Sequence, residues 1–225
     1  GGHGIKTASR ILGTAAFLDG MHAQDSPIYG AERRGAAIAA FTRIDDEPIL
    51  ERGVITQPDL VLIADETLLA DPTARVLVGA DTASAVFVNS CVDRQLLASR
   101  YEIACPVVSH DLTGIAADVI GRSSALSSVL GAVSCKLSGV VPEDRMIRAV
   151  REELESLGLG RDTMERNVEA ARRAYASVDA VAIRMRSITA QAPVIHQPVF
   201  VSPELGTATI YAPGNSGARH TGSWR

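Results

Sequence analysis

Seven residues at the start of the chain, Gly1-Gly2-His3-Gly4-Ile5-Lys6-Thr7, combine side-chain types that suit an anion. Glycines let a backbone turn tightly and approach a ligand, and a helix that follows aims unpaired N–H groups at whatever sits there. Lys6 would add a charge and Thr7 a hydroxyl. The spacing is not that of a Walker A loop, which needs G-K-[ST] after four spacer residues, nor a full G-x-G-x-x-G. No acidic residue about twenty positions on reads as a ribose anchor at a strand end, which argues against an autonomous NAD-binding domain. A plain glycine turn ahead of a helix is the competing interpretation.

A second segment is Tyr29-Gly30-Ala31-Glu32-Arg33-Arg34-Gly35. Two adjacent guanidinium groups flanked by glycines could clamp a phosphate or carboxylate bidentately. The alternative is a surface cluster in which Glu32 pairs with the arginines, and the residues alone leave both open. Cys91, Cys105 and Cys135 are widely separated and form no C-x-x-C, so none suggests a zinc or iron-sulfur ligand set by local spacing. They read as small core residues in a reducing compartment, hence the cytoplasm. His22, His110 and His196 lack the i, i+4 spacing of helical metal ligands. No Ser/His/Asp constellation or carboxylate pair emerges from spacing.

The elements that would carry these residues follow from periodicity. Ile5, Ala8, Ile11, Leu12, Ala15, Ala16 and Leu18 fall near helical spacing, giving a helix from Ile5 to Leu18 that ends near Asp19-Gly20. Ala36 to Ile44 fits a buried strand. Asp45 to Pro48 reads as a turn, with Ile49-Leu50 opening the return strand of a hairpin. Short apolar runs at Leu60 to Ala64, Val76 to Val78, Ala85 to Asn89 and Pro106 to Ser109 suit a sheet covered on both faces. Asp65 to Ala70 is a candidate short helix, and Asp65 and Asp81 are candidate caps. Helices are expected at Gly114 to Gly121, Ser124 to Lys136, Pro142 to Leu157 and Gly160 to Arg186. Arg148, Arg151, Glu152, Glu153 and Glu155 form an expected solvated face. From Gln191 onward Pro193, Pro198, Pro203 and Pro213 alternate with β-branched residues, and an extended arm of this kind seldom offsets its own ordering entropy.

Composition agrees with a globular α/β chain. Hydrophobic residues are 46% and charged residues 21% of 225, while aromatics are only 4%, so small and branched side chains must fill the core. A net charge of −4 with no Lys/Arg block gives no electrostatic case for nucleic acid. No apolar run reaches the roughly 18 residues that span a membrane. Both ends read as interrupted: the chain opens without Met in a glycine turn that ought to follow a strand, and it closes on Thr221-Gly222-Ser223-Trp224-Arg225 with no element to finish. Flanking residues are therefore expected.

The order of Gly-Gly-His-Gly at 1–4, Ala15-Ala16-Phe17-Leu18-Asp19-Gly20 and Tyr29-Gly30-Ala31-Glu32-Arg33-Arg34-Gly35 resembles the gamma subunits of pyruvate and related 2-oxoacid:ferredoxin oxidoreductases. Thr42-Arg43-Ile44-Asp45, Pro58-Asp59-Leu60-Val61, Leu130-Gly131-Ala132 and Glu165-Arg166-Asn167 with Ala170 and Tyr175 continue the match, which spans residues 1–186. Two departures stand out: His3 where the family usually has Gln, and Lys6 where it often has a small or apolar residue. Thr221 to Arg225 resembles the opening of delta subunits, whose following domain carries two [4Fe–4S] clusters.

The resemblance implies an α/β domain with a mixed or mostly parallel sheet flanked by helices over 1–186. It implies an extended C-terminal arm, 187–225, leading toward a delta or ferredoxin-like domain. The chain would be a gamma-type subunit without catalytic residues of its own, serving oxidative decarboxylation of a 2-oxoacid with electrons passed to ferredoxin or a similar acceptor. Thiamine diphosphate, Mg and [4Fe–4S] clusters would sit in alpha and beta partner subunits or in that further domain. Gly1, Gly2, Gly4, Lys6, Thr7, Arg33 and Arg34 would contact coenzyme A phosphates. Pyruvate, 2-oxoglutarate, branched-chain or aryl oxoacids such as phenylglyoxylate, and oxalate are all compatible substrates. A free-standing nucleotide-binding α/β enzyme and a purely structural interaction subunit are the rival readings.

Overall fold

The computed structural model describes residues 3–27, 38–122 and 125–183. Helix α1 runs His3–Leu18, two residues earlier than the periodicity gives, and the antiparallel pair β1 (His22–Pro27) and β2 (Ala40–Asp45) follows. The chain then enters a parallel sheet of β3 (Leu60–Ile63), β4 (Ala85–Asn89) and β5 (Val107–His110), in that order, with β4 central and fully buried. Helix α2 (Arg94–Arg100) links β4 to β5. The C-terminal part is helical: α3 (Leu112–Ile120), α4 (Ser127–Ser138), α5 (Glu143–Glu155) and α6 (Arg161–Ala176).

Both faces of the sheet are covered, as near-continuous apolar strands require. Phe87, Leu60, Leu62 and Val108 pack into a cluster with Ile11, Leu112, Val129, Leu130, Met146 and Val168 from five helices. Val86, Val88, Ile63 and Val107 face the other way, onto Leu97 of α2 and the 3-10 turn at Ala80. The expected α/β sheet flanked by helices is the architecture found. Residues 187–225, which carry the expected arm, and Arg186 at the expected end of the last helix lie outside the described residues.

Several expectations need correction. The hairpin partner of β2 precedes it: His22 pairs with Asp45 and Pro27 with Ala40, whereas Ile49 and Leu50 form no strand and Leu50 is 88% exposed. Val76 to Val78 is not a strand either. Arg75 at φ 49 and Gly79 at φ 78 reverse the chain on both sides, leaving those three residues no room to pair. Asp65 does cap the short helix that follows, accepting from Thr67 N, but Asp81 lies inside a 3-10 turn. Helix α6 stops at Ala176 because the chain turns there to bury Val178 against the core, with Val181 packed on it.

Candidate functional site

Helix α1 divides its surface among three neighbours, and each stripe follows from i, i+4 spacing. Ile11 and Ala15 enter the core, where Ile11 packs so closely on α4 that only glycine fits at 131. Ser9 and Gly13 face the hairpin. A Cβ on Gly13 would lie 3.8 Å from Thr42 Cγ2 and 3.9 Å from Ala23 Cβ. Arg10 and Thr14 face α5, where Thr14 donates to Glu153 Oε1 at 2.7 Å and Arg10 Nη2 lies 2.8 Å from Glu153 Oε2.

Glu153 therefore does not belong to the solvated face expected for it. It is only 8% exposed and continues the buried stripe Met146, Ala149, Val150, Leu154. Its Oε2 has the guanidinium beside it without an aligned N–H, and no other partner among the described residues. The sequence did contain this signal, since Glu153 falls seven residues after Met146 on an apolar helical period.

Of the candidate anion-binding residues, Gly4, Lys6 and Thr7 lie in the first two turns of α1. The ideal Cβ position of Gly4 lies 3.7 Å from the backbone nitrogen of Ser127, the first residue of α4. Two helix N-termini thus sit side by side, and α4 has no side-chain cap on its own. Adjacent N-termini add their partial positive charges. Gly1 and Gly2 lie outside the described residues, as do Arg33 and Arg34. The latter two occur in the connection between Pro27 and Ala40, the last paired residues of the hairpin.

The hairpin is fastened to the same helix. Ser9 Oγ donates to Asp25 Oδ1 and lies 2.8 Å from Thr42 Oγ1, and Asp25 and Thr42 are direct cross-strand partners. Burial pushes the Asp25 carboxyl above its ordinary value and the charge of Glu153 adds to this, against the Ser9 hydrogen bond and the Arg10 charge. On the outer face Arg43 donates to Gly53 O at 3.0 Å and to Gln24 Oε1 at 3.3 Å, tying down the segment after β2.

A second polar assembly occupies the carboxyl ends of the parallel strands, the edge where open α/β sheets present ligand sites. Asn89 is its centre: Nδ2 donates to Ala64 O and Thr113 Oγ1, both at 2.9 Å, and Oδ1 accepts from Leu112 N at 2.8 Å. Ser90 donates to Glu66 Oε2, and Asp111 caps α3 by accepting from Gly114 N at 2.8 Å. These bonds satisfy one another and describe a brace between two strand ends and a helix start.

The cysteines occupy unlike environments. Cys105 and Cys135 are buried, as expected, but Cys91 is exposed just beyond β4. The Asp111 carboxylate, by hydrogen bond and charge, raises the Cys91 thiol, while burial pushes Cys135 up to about 12. No three metal-ligating side chains gather among the described residues. Three separated thiols, two of them buried singly, do not fit an iron-sulfur cluster.

Comparison with known proteins adds independent information. The family model described as pyruvate ferredoxin/flavodoxin oxidoreductase matches residues 1–177. Pyruvate synthase subunit PorC of Methanothermobacter thermautotrophicus is 36% identical over 187 residues, covering 82% of this chain and 95% of that protein. The common gamma subunit of the pyruvate/ketoisovalerate oxidoreductases of Thermococcus litoralis is 36% identical over 176 residues, 78% of this chain and 91% of the relative. Among solved structures, pyruvate oxidoreductase subunit PORC of Thermotoga maritima matches with a TM-score of 0.64 and 28% identity, over 80% of this chain and 92% of that one.

Proposed function

The chain belongs to the pyruvate ferredoxin/flavodoxin oxidoreductase family, and on that premise we propose that it is the gamma-type subunit of a 2-oxoacid:acceptor oxidoreductase complex. The observation that carries this reading is the extent of the match: at least nine-tenths of relatives named as subunits align with one continuous stretch of this chain. In this reading the chain assembles with alpha and beta subunits in the cytoplasm. No helix among the described residues is long and apolar enough to cross a membrane.

Thiamine diphosphate with Mg, and [4Fe–4S] clusters, belong in this proposal to partner chains or to a ferredoxin-like domain toward which residues 187–225 lead. When bound there, they supply the nucleophilic carbon for decarboxylation and the path by which electrons reach ferredoxin or a similar acceptor. This chain contributes scaffolding, and a grip on coenzyme A phosphates by Gly4, Lys6 and Thr7 together with Gly1, Gly2, Arg33 and Arg34. Support for the grip comes from the adjacent N-termini of α1 and α4.

Purification of the tagged chain from its native cell tests the assembly. Larger partner chains, thiamine diphosphate and the brown colour of iron-sulfur clusters are the expected result, and a colourless monomer with its own activity refutes it. Replacing Arg33 and Arg34 together by alanine should raise the KM for coenzyme A at least about tenfold, the scale of losing charge-assisted hydrogen bonds. An unchanged KM removes coenzyme A from the assignment and leaves a structural subunit.

A further inference from the structure

The side of the parallel sheet that faces Leu97 is covered without being sealed. An open cavity of about 340 Å³ remains there, walled by Leu68, Leu69, Pro72, Val76, Leu77 and Val78, and Val78 is 58% exposed. A smaller cavity shares Leu77 as a wall and has Asp81 and Glu102 at its rim, while Arg75 lies at the rim of the larger. Arg75 and Glu102 are also the two non-glycine residues with positive φ among the described residues, at φ 49 and φ 52. Glu102 follows α2 where Ile103 N donates back to Ala98 O at 3.0 Å, a helix ending that glycine usually makes. Backbone strain of this kind gathers where a side chain has a task beyond the fold. Neither exposed side chain forms an ion pair among the described residues. Asp71 lines the larger cavity too, but its carboxylate is taken up by Thr73 N and Thr73 Oγ1 at 2.8 and 2.7 Å.

We propose that this face pairs two copies of the chain about a two-fold axis near Leu77, with Arg75 of each copy set against Glu102 of the other. A two-fold contact uses the same patch twice, so the patch must complement itself. A face of one sign would call for a partner of the other sign. This one carries a base on one side of an apolar wall and acids on the other, and half a turn lays each over its opposite. The apolar walls then meet at the centre inside a polar rim, the usual anatomy of a protein interface. A guanidinium has donors enough to serve Glu102 and the neighbouring Asp81 together. The contact needs neither coenzyme A nor any other subunit, so its fate and that of the proposed function are separable.

The test introduces Val78→Cys into the full chain, purified with whatever companions it carries, and treats it with a short bis-maleimide. Peptide mapping then identifies which thiols are joined. A link from position 78 of one copy to position 78 of another is the expected product. Adding Arg75→Glu should cut its yield at least about tenfold, because like charges brought face to face oppose association. Adding Glu102→Arg as well swaps the pair and should bring the yield back above that of the single reversal. Both residues are exposed, and neither exchange alters the left-handed backbone strain, so folding is not the variable. Glu102→Arg alone should also lower the yield, which keeps the test open if the first reversal folds poorly. Absence of the 78-to-78 link, a link from position 78 to a different chain instead, a parental yield in the single reversals, or no recovery in the swapped pair overturns the proposal.

Discussion

Replacement of Gly131 by alanine should destabilise the chain even though alanine is the better helix former. The added Cβ would lie 2.8 Å from Ile11 Cβ and Cγ2 and 3.0 Å from Cδ1. Carbon atoms pack best at about 3.5–4.0 Å, so α1 and α4 must part by roughly 0.7 Å. Ile11 is fully buried, and its Cβ is fixed to the helix backbone, so a rotamer change cannot relieve the contact. Overpacking of this kind costs about 1–3 kcal/mol, against a helix-propensity gain of about 0.8–1 kcal/mol. The net expectation is a loss of about 1 kcal/mol, which for this chain length lowers Tm by about 2–4 °C. Gly4→Ala is the matched control. Among the described residues its new Cβ meets Ser127 N at 3.7 Å, ordinary contact, so stability should hold or rise. Denaturant midpoints of parent and both variants, measured side by side, decide the matter. A Gly131→Ala chain as stable as the parent refutes the close approach of α1 and α4 on which the argument rests.

Asn89→Ala should cost about 2–4 kcal/mol in denaturant unfolding, because it strips three hydrogen bonds and leaves Leu112 N and Ala64 O unpartnered; a loss under about 0.5 kcal/mol would contradict the brace. Cys91 should react with a chromogenic disulfide only as pH becomes alkaline, since Asp111 holds its thiol above the ordinary value. Asp111→Asn keeps an oxygen to cap Gly114 and should move the onset of that reaction to lower pH, an effect absent if the carboxylate is not the cause.

What the sequence could reveal depended on whether apolar side chains drew each element. Helix α1 and strand β4 announce themselves by period and by a continuous apolar run, because both are buried through such residues. Strand β1, His22–Pro27, has no such signature. Its inward positions are Ala23 and Asp25, and a hydroxyl–carboxylate network holds it where aliphatic packing would normally do so. Helix α2 is only seven residues long and is set by the Asp93 cap, whose carboxylate accepts from Gln95 N and Leu96 N. That is a local signal too short to show a period. Gly4, Lys6 and Thr7 read as an anion candidate from residue types alone, whereas the nearness of Gly4 to the start of α4 required tertiary structure. Ser9, Arg10 and Thr42 are each ordinary alone and acquire meaning only from their neighbours, whereas the burial of Glu153 was readable from its spacing to Met146.

The three-way division of α1 bears on anyone exchanging parts between relatives. Swapping that helix alone would import Ser9 and Gly13 cut for one ribbon, Arg10 and Thr14 for one acidic partner, and Ile11 for one glycine. Each mismatch would tilt the other two contacts, since a rigid rod cannot settle separately against three walls. A workable chimera would therefore transplant residues 3–45 together with positions 131 and 153, a discontinuous unit that no alignment-based crossover near position 20 would respect.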